Sequence, residues 1–583
     1  MRRVLRFIVG TFAVIGLLVV VGMIGAIWGF SALHDKVEPA LPKKMVLTLD
    51  LESKIHETAS SDPFAMLSGK REYVLRELVQ ALDAAARDPQ VVGLFATIGQ
   101  TQLSMAEAQE IRAAIGRFKE SGKQAVLFAE SMGELGNGTL AVYVASAFGK
   151  VWLQPSGDVG LTGFAAESPF LRGTLDMLGI QPQVVARKEY KTAPETFTEK
   201  RYSPAQAETL NGLLDSWSDQ VITGIAESRK MPTEKVRALF GKGPFLAAEA
   251  LAAGLVDHLG YRDEAWSAAA FDTKIKKVDL AAYGARQPKA SGTKVAVITG
   301  SGTIVRGDEE GPFGAEQGFH AGTIAQAFRD AVEDPAVKAI ILRIDSPGGS
   351  YVASDTIWNE VRRARAAGKP VVASMGGAAA SGGYFVAMGA DRIVAQPGTI
   401  TGSIGVFSGK AVLTEFWQKL GVSWDELHRG DNATMWSTNS AFSPQALERV
   451  NAMMDHIYAD FTHKAADGRK IAKDKIEPVA RGRVWSGADA KTVGLVDVLG
   501  GWTTTFEQVR EVAGLERDAP LKLVAFPEPK KPWEMLGKVL GGGLVGDEST
   551  RAMAKIARII APVAEQMEIL DPQAGSLRMP VRP

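Results

Sequence analysis

The sequence predicts an α/β protein: two tandem domains of layered strands and helices, preceded by one N-terminal transmembrane helix. Three observations carry this reading. Short apolar runs alternate with segments of helical periodicity over most of the 583 residues. The same order of runs then recurs in nearly constant register, which marks an internal duplication. Residues 7–33 contain no charged side chain, a longer stretch than the roughly 20 apolar residues a helix needs to cross a bilayer.

Taken in order, Arg2, Arg3 and Arg6 precede the apolar run. Such charges stay on the cytoplasmic face, so residues 1–34 read as a basic tip and an anchor lying in the lipid bilayer through residues 7–33. A cleaved signal would have a shorter apolar core and a clear small-residue cleavage site, and Ser31-Ala32 is a poor one. The reading is therefore a single-pass protein of the bacterial inner (cytoplasmic) membrane with its domains in the periplasm. A polar, proline-bearing linker follows. Residues 45–51 read as the first strand, 73–86 as a helix ending at Asp88-Pro89, 91–98 as a strand, 106–119 as a helix and 124–129 as a strand; 140–147 is again apolar.

The duplication is explicit in the residues. Asp88-Pro89-Gln90-Val91 recurs as Asp334-Pro335-Ala336-Val337. Gln154-Pro155, Gly160, Gly163, Gly179 and Arg187 meet Gln396-Pro397, Gly402, Gly405, Gly421 and Arg429, each 242 residues on. Gly254-Leu255-Val256-Asp257 returns as Gly494-Leu495-Val496-Asp497. The copies run over 45–285 and 290–525, leaving 526–583 as a C-terminal extension; within it, 550–567 is amphipathic and reads as a solvated terminal helix.

The second copy carries the chemistry-bearing pattern. Residues 370–374 read as a strand, Gly376-Gly377 as a turn, and Ser381 as the start of a helix, where unsatisfied N–H groups favour negative charge. A lone serine there is commonly an N-cap only. What sets this one apart is a second glycine turn: residues 339–344 form an apolar strand, interrupted only by Arg343, that runs into Asp345-Ser346-Pro347-Gly348-Gly349-Ser350. A hydroxyl on one strand end and bare amides on another are the parts of an acyl-transfer site with an oxyanion hole. Asp345 reads as a turn-capping carboxylate.

A serine hydroxyl needs a base. No histidine lies in the glycine turns, so a lysine is the reasonable alternative, provided burial brings its pKa down from about 10.4 toward neutrality. Lys191 is the candidate, although a single lysine also reads as a solvated surface charge. The copies differ in a complementary way: 242 residues before Ser381 stands Thr139, and 242 residues after Lys191 stands Ala433. One copy has the serine and the other the lysine.

Residues 45–525 resemble the long, tandem-repeat form of bacterial signal peptide peptidase A (protease IV), a Ser/Lys-dyad serine peptidase of the Clp protease/crotonase fold group. The carrying motifs are Asp345-Ser346-Pro347-Gly348-Gly349, Ala380-Ser381-Gly382-Gly383-Tyr384, Thr401-Gly402-Ser403-Ile404-Gly405 and Tyr190-Lys191-Thr192-Ala193. The resemblance implies Ser381 as nucleophile, Lys191 as general base, amides of Gly348 or Gly349 and of Gly382 as oxyanion hole, and Ser403, otherwise a turn hydroxyl, as an orienting group. It implies membrane-derived signal peptides as substrates, no cofactor, and a homo-oligomer, a tetramer favoured. Two alternatives stay open. A crotonase-like acyl-CoA enzyme would need acidic catalytic residues at the glycine turns. An α/β-hydrolase triad would need His456 or His463, since Ala379 to Gly383 is one residue from a G-x-S-x-G elbow.

Composition narrows the field. Basic and acidic residues balance at 66 each, with no excess to attract nucleic acid. Absence of cysteine excludes disulfides and thiolate chemistry, and the seven histidines show no metal-ligand spacing.

Overall fold

The computed structural model describes residues 41–58, 73–269, 275–288, 291–308, 318–528 and 576–578. The anchor expected at 7–33 and the amphipathic stretch 550–567 lie outside them. Among the described residues no helix is long and apolar enough to cross a membrane.

Each half builds one sheet with helices against it, all parallel in the first half and parallel in the second but for the edge strand Val484–Ser486, which runs antiparallel to Ile400–Gly402. In the first, the strands lie in the order His258–Leu259, Lys150–Leu153, Gln124–Ala129, Val91–Thr97, Met45–Asp50 and Lys276–Asp279. In the second the path is Val484–Ser486, Ile400–Gly402, Val371–Ala380, Val337–Ser346, Thr293–Ser301 and Leu521–Phe526. The central strands are near-continuous apolar runs because both their faces are covered, as parallel sheets require. A third sheet draws on both halves: Gln181–Ala186 of the first pairs antiparallel with Phe407–Val412 of the second.

The helices begin where the sequence supplies caps. Ser104 and Glu107 form a reciprocal capping box at Met105–Glu120. Ser203 and Ser443 cap two 26-residue helices, Pro204–Arg229 and Pro444–Arg469, each with proline in its first turn. Both helices end on a left-handed lysine, Lys230 and Lys470. The apolar segment at 140–147 is the short helix Thr139–Ala145.

One expectation fails. Gly376-Gly377 is not a turn, because the strand runs on from Val371 to Ala380. Its pairing with Val337–Ser346 shifts register after Ile344 and resumes at Ser346 opposite Ala379. Asp345 bridges the shift, its Oδ1 accepting the Ala378 N–H at 3.0 Å. The glycines are there for close approach: a Cβ on Gly376 would lie 3.0 Å from Glu57 Oε1, and one on Gly377 3.0 Å from Ser104 Oγ.

The halves share a core. One buried cluster takes in Leu47, Phe118 and Leu127 together with Val297, Ile341, Val372 and Trp502, each such side chain contributing about 1.5–3 kcal/mol on burial. Arg343, which breaks the apolar run in the sequence, lies fully buried across this junction. Its guanidinium reaches Glu57 at 2.6 Å and Glu110 at 2.9 Å from the first half, and Ser374 Oγ at 3.0 Å from its own. Burial opposes its charge, but the two carboxylates outweigh it and raise its pKa.

Candidate active site

Ser381 closes the strand Val371–Ala380 and opens the helix Gly382–Ala387. Its backbone sits at φ 54°, ψ −115°, a region that costs a non-glycine residue on the order of 1–3 kcal/mol. Two hydrogen bonds hold it there: its N–H donates to Gly402 O at 2.8 Å, and its carbonyl accepts the Phe385 N–H at 2.9 Å. The side chain makes no capping bond, which leaves the hydroxyl for other work. Its neighbours must be small, since a Cβ on Gly383 would lie 2.8 Å from Ser346 O and one on Gly382 2.6 Å from Ser354 Oγ.

Lys191 comes from the other half and is only 3% exposed, so the surface-charge reading is overturned. Its Nζ lies 2.8 Å from Ser381 Oγ, 3.0 Å from Ser403 Oγ and 3.1 Å from Ser403 O. None of these partners is charged. Burial alone holds its pKa down to about 7. An amine poised this way can take a proton from the hydroxyl it touches near neutral pH.

The glycine turn stands alongside. Gly348 has φ 110°, and its N–H donates to Ser346 Oγ at 3.1 Å. A Cβ on Gly349 would lie 2.1 Å from Ile304 O, and one on Gly382 3.1 Å from Gly349 N, so the two glycine backbones face each other at close range. The Asp345 carboxyl is buried, raised in pKa by that burial and then by Glu57, and is engaged by Ala378 N–H. His456 and His463 are exposed on the helix Pro444–Arg469. His463 pairs with Asp467 at 3.2 Å, one turn on.

All six residues singled out in the sequence thus meet in one place. Others were not foreseen. Gly405 and Gly482 flank the Lys191 stem: a Cβ on Gly405 would lie 3.1 Å from Lys191 Cδ, and one on Gly482 2.5 Å from Lys191 N. Gly405 had a signal, as a member of the repeated register; Gly482 had none. Ser576–Arg578, also unforeseen, runs antiparallel to Gly348–Ser350 and reaches Phe407 on the other side.

The sequence profile of peptidase family S49 matches residues 117–276 and 363–516. The chain belongs to that family. This S49 peptidase is 34% identical to Protease 4 of Salmonella typhi over 471 residues, 77% of this chain and 73% of that one. It is 30% identical over 521 residues to the chloroplastic serine protease SPPA of Arabidopsis thaliana, 87% of this chain and 75% of that one. Among solved structures, ClpP1 from Listeria monocytogenes aligns with 35% of this chain and 91% of its own at 15% identity, with a TM-score of 0.22. The family makes the S49 chain a serine peptidase and bears out the resemblance read from its motifs.

Proposed function

We propose that the protein hydrolyses signal peptides and other apolar peptides through an acyl-enzyme, with Ser381 as nucleophile and Lys191 as general base. The observation that carries this is the 2.8 Å approach of an uncharged-lined, buried amine to the hydroxyl. Lys191 Nζ takes the proton as Ser381 Oγ bonds to the scissile carbonyl carbon. The oxyanion meets the amides of Gly349 and Gly382; Gly348 is the weaker donor because its N–H is already committed to Ser346 Oγ. One such donor contributes about 2.7–4 kcal/mol. The lysine then hands its proton to the leaving amine, and water activated by the same amine frees the acyl group. Ser403, accepting twice from Nζ, orients it.

The slot between Gly348–Ser350 and Phe407–Val412 takes an added strand, as Ser576–Arg578 does here. A peptide substrate entering that way gains main-chain hydrogen bonds and brings its scissile carbonyl beside the glycine turn. The layered domains are proposed to be of the Clp/crotonase superhelix kind, divided at 45–285 and 290–525. Residues 7–33, on the strength of their sequence, anchor them on the outer face of the inner membrane, where local concentration of membrane-derived peptides is high.

The protein is proposed to assemble into a homo-oligomer, a tetramer, and the repeat supports the self-association. Gln181–Ala186 pairs with the other half, yet the segment 242 residues on, 423–428, pairs with no strand among the described residues. It exposes Trp424 and Leu427 beside Leu420, an unpartnered counterpart suited to a second copy. The test of the activity is labelling with a serine-directed phosphonate during turnover of a synthetic signal peptide. Modification at Ser381, lost in Lys191→Ala, is expected; labelling elsewhere, or turnover without the lysine, sinks the reading.

A further inference from the structure

We propose that the segment Arg481-Gly482-Arg483 is a positioning device for the Lys191 amine, a clamp supplied by the serine-bearing half to the lysine-bearing half. The inference rests on the dyad reading above and assigns residues that reading does not use.

The contacts all converge on the lysine. Arg481 O accepts the Tyr190 N–H at 3.2 Å, which ties down the residue before Lys191. Gly482, at φ +82°, lies flat on the lysine backbone, so that a Cβ there would sit 2.5 Å from Lys191 N and 2.7 Å from its Cα and Cβ. Its N–H donates to Ile404 O at 2.8 Å, and Arg483 O accepts the Ser403 N–H at 2.7 Å. The same three residues therefore hold both the lysine main chain and the turn whose oxygens receive Nζ.

Two arginine side chains brace the outside. Arg483 stacks 4.1 Å over the Tyr190 ring and pairs with Glu208, which also accepts the Tyr190 hydroxyl at 3.0 Å. Arg481 pairs with Glu189, and its N–H donates to the Tyr458 hydroxyl at 3.2 Å. Residues 188–191 are thus gripped from the far half on both faces. The stem has no freedom to swing: it passes between Gly482 and Gly405, with its end fixed on Ser403 and Ser381.

The first half supplies the contrast. In the register of Gly254 and Gly494, 240 residues earlier, Gly241-Lys242-Gly243 stands where Arg481-Gly482-Arg483 stands. There Gly241 and Gly243 N–H both donate to Leu161 O, at 3.1 and 3.3 Å, and Lys242 is exposed. The loop is tied to Leu161, which stands 242 residues before Ser403, and carries no arginine braces, in the copy whose matching turn holds no catalytic amine. Arginine pairs and a flat glycine occur where a lysine must be held.

The test is steady-state kinetics against pH on the full chain. Gly482→Ala pushes the lysine backbone and is expected to lower kcat about 100-fold, the size of a roughly 1 Å misplacement, with KM within about threefold. As the pocket loosens, the acid limb of kcat/KM moves to higher pH, because water reaching the amine restores its proton affinity. Arg483→Gln, whose side chain is 21% exposed, tests the same idea without steric load. About a tenfold loss of kcat with the same direction of limb shift is expected, and Arg483→Lys, keeping charge but not the planar stack, falls between. A merely structural role would lower the folded fraction and leave the acid limb in place. Should Gly482→Ala fail to fold, Arg483→Gln decides. Wild-type kcat and an unmoved limb in Arg483→Gln overturn the clamp if Lys191→Ala is inactive; an active Lys191→Ala instead overturns the dyad itself.

Discussion

The two halves keep one scaffold and divide its chemistry. Their long helices have the same length, the same Ser-Pro start and the same left-handed lysine end. Arg229 pairs with Asp257 in one, Arg469 with Asp497 in the other, and each aspartate also accepts a backbone N–H, from Val151 or Ile393. At the serine position the likeness stops. Thr139 too is a buried hydroxyl at a helix start, but its Oγ1 donates to Gly163 O and accepts Gly163 N–H, both at 3.0 Å. That hydroxyl is spent on a turn. Ser381 makes no such bond, sits at positive φ and meets an amine. In the same fold, one hydroxyl is committed to a turn and the other is left free to meet an amine.

The comparison breaks most sharply by substitution at the dyad. Ser381→Ala and Lys191→Ala are each expected to lower kcat by about 10⁴-fold or more, and the double variant no further, because groups acting as a unit are not additive. Adding Thr139→Ser to Ser381→Ala should restore nothing in a peptide-cleavage assay. Recovered turnover there would show that the halves are interchangeable.

Next in size is the junction. Arg343→Met leaves Glu57 and Glu110 buried without their cation, a loss of about 3–5 kcal/mol, read from the urea midpoint. Cleavage itself should rise about tenfold per pH unit below neutrality and level off above about 7, where the buried Lys191 gives up its proton. Stability follows with a fixed sign. The folded pKa lies below the unfolded value of about 10.4, so the unfolded chain binds more protons between pH 7 and 10.4 and stability rises with pH across that window. Lys191→Met should flatten that slope. The smallest effect sharpens the likeness: Arg229→Ala and Arg469→Ala should cost similar amounts, about 1–3 kcal/mol each, by thermal melting. A large inequality would mean the scaffolds have drifted apart.

Much of this was legible in the residues. Apolar runs located most strands to within a residue or two, the strand read over 370–374 running six residues further to Ala380, and the nearly constant register exposed the duplication. Glycines around Ser381 and before Ser350 marked both turns, because only close backbone approach requires them there. The lysine was legible only through its absence from the other copy and through likeness to a family, since burial is a property of the folded pair and not of residue 191. Gly376-Gly377 misled for the same reason: glycine that admits Glu57 and Asp345 reads, in one dimension, like glycine that turns. Arg343 looked like a flaw in a strand, and its carboxylate partners lie 233 and 286 residues away.

The hydroxyl follows its amine by 190 residues in the chain. At about 5–20 residues per second, a ribosome needs roughly 10–40 s to travel from one to the other. During that interval the growing polypeptide carries the amine of the proposed pair without its hydroxyl. On the proposed mechanism, dividing the pair between the two copies therefore means that no cutting can begin until the chain has been made past residue 381.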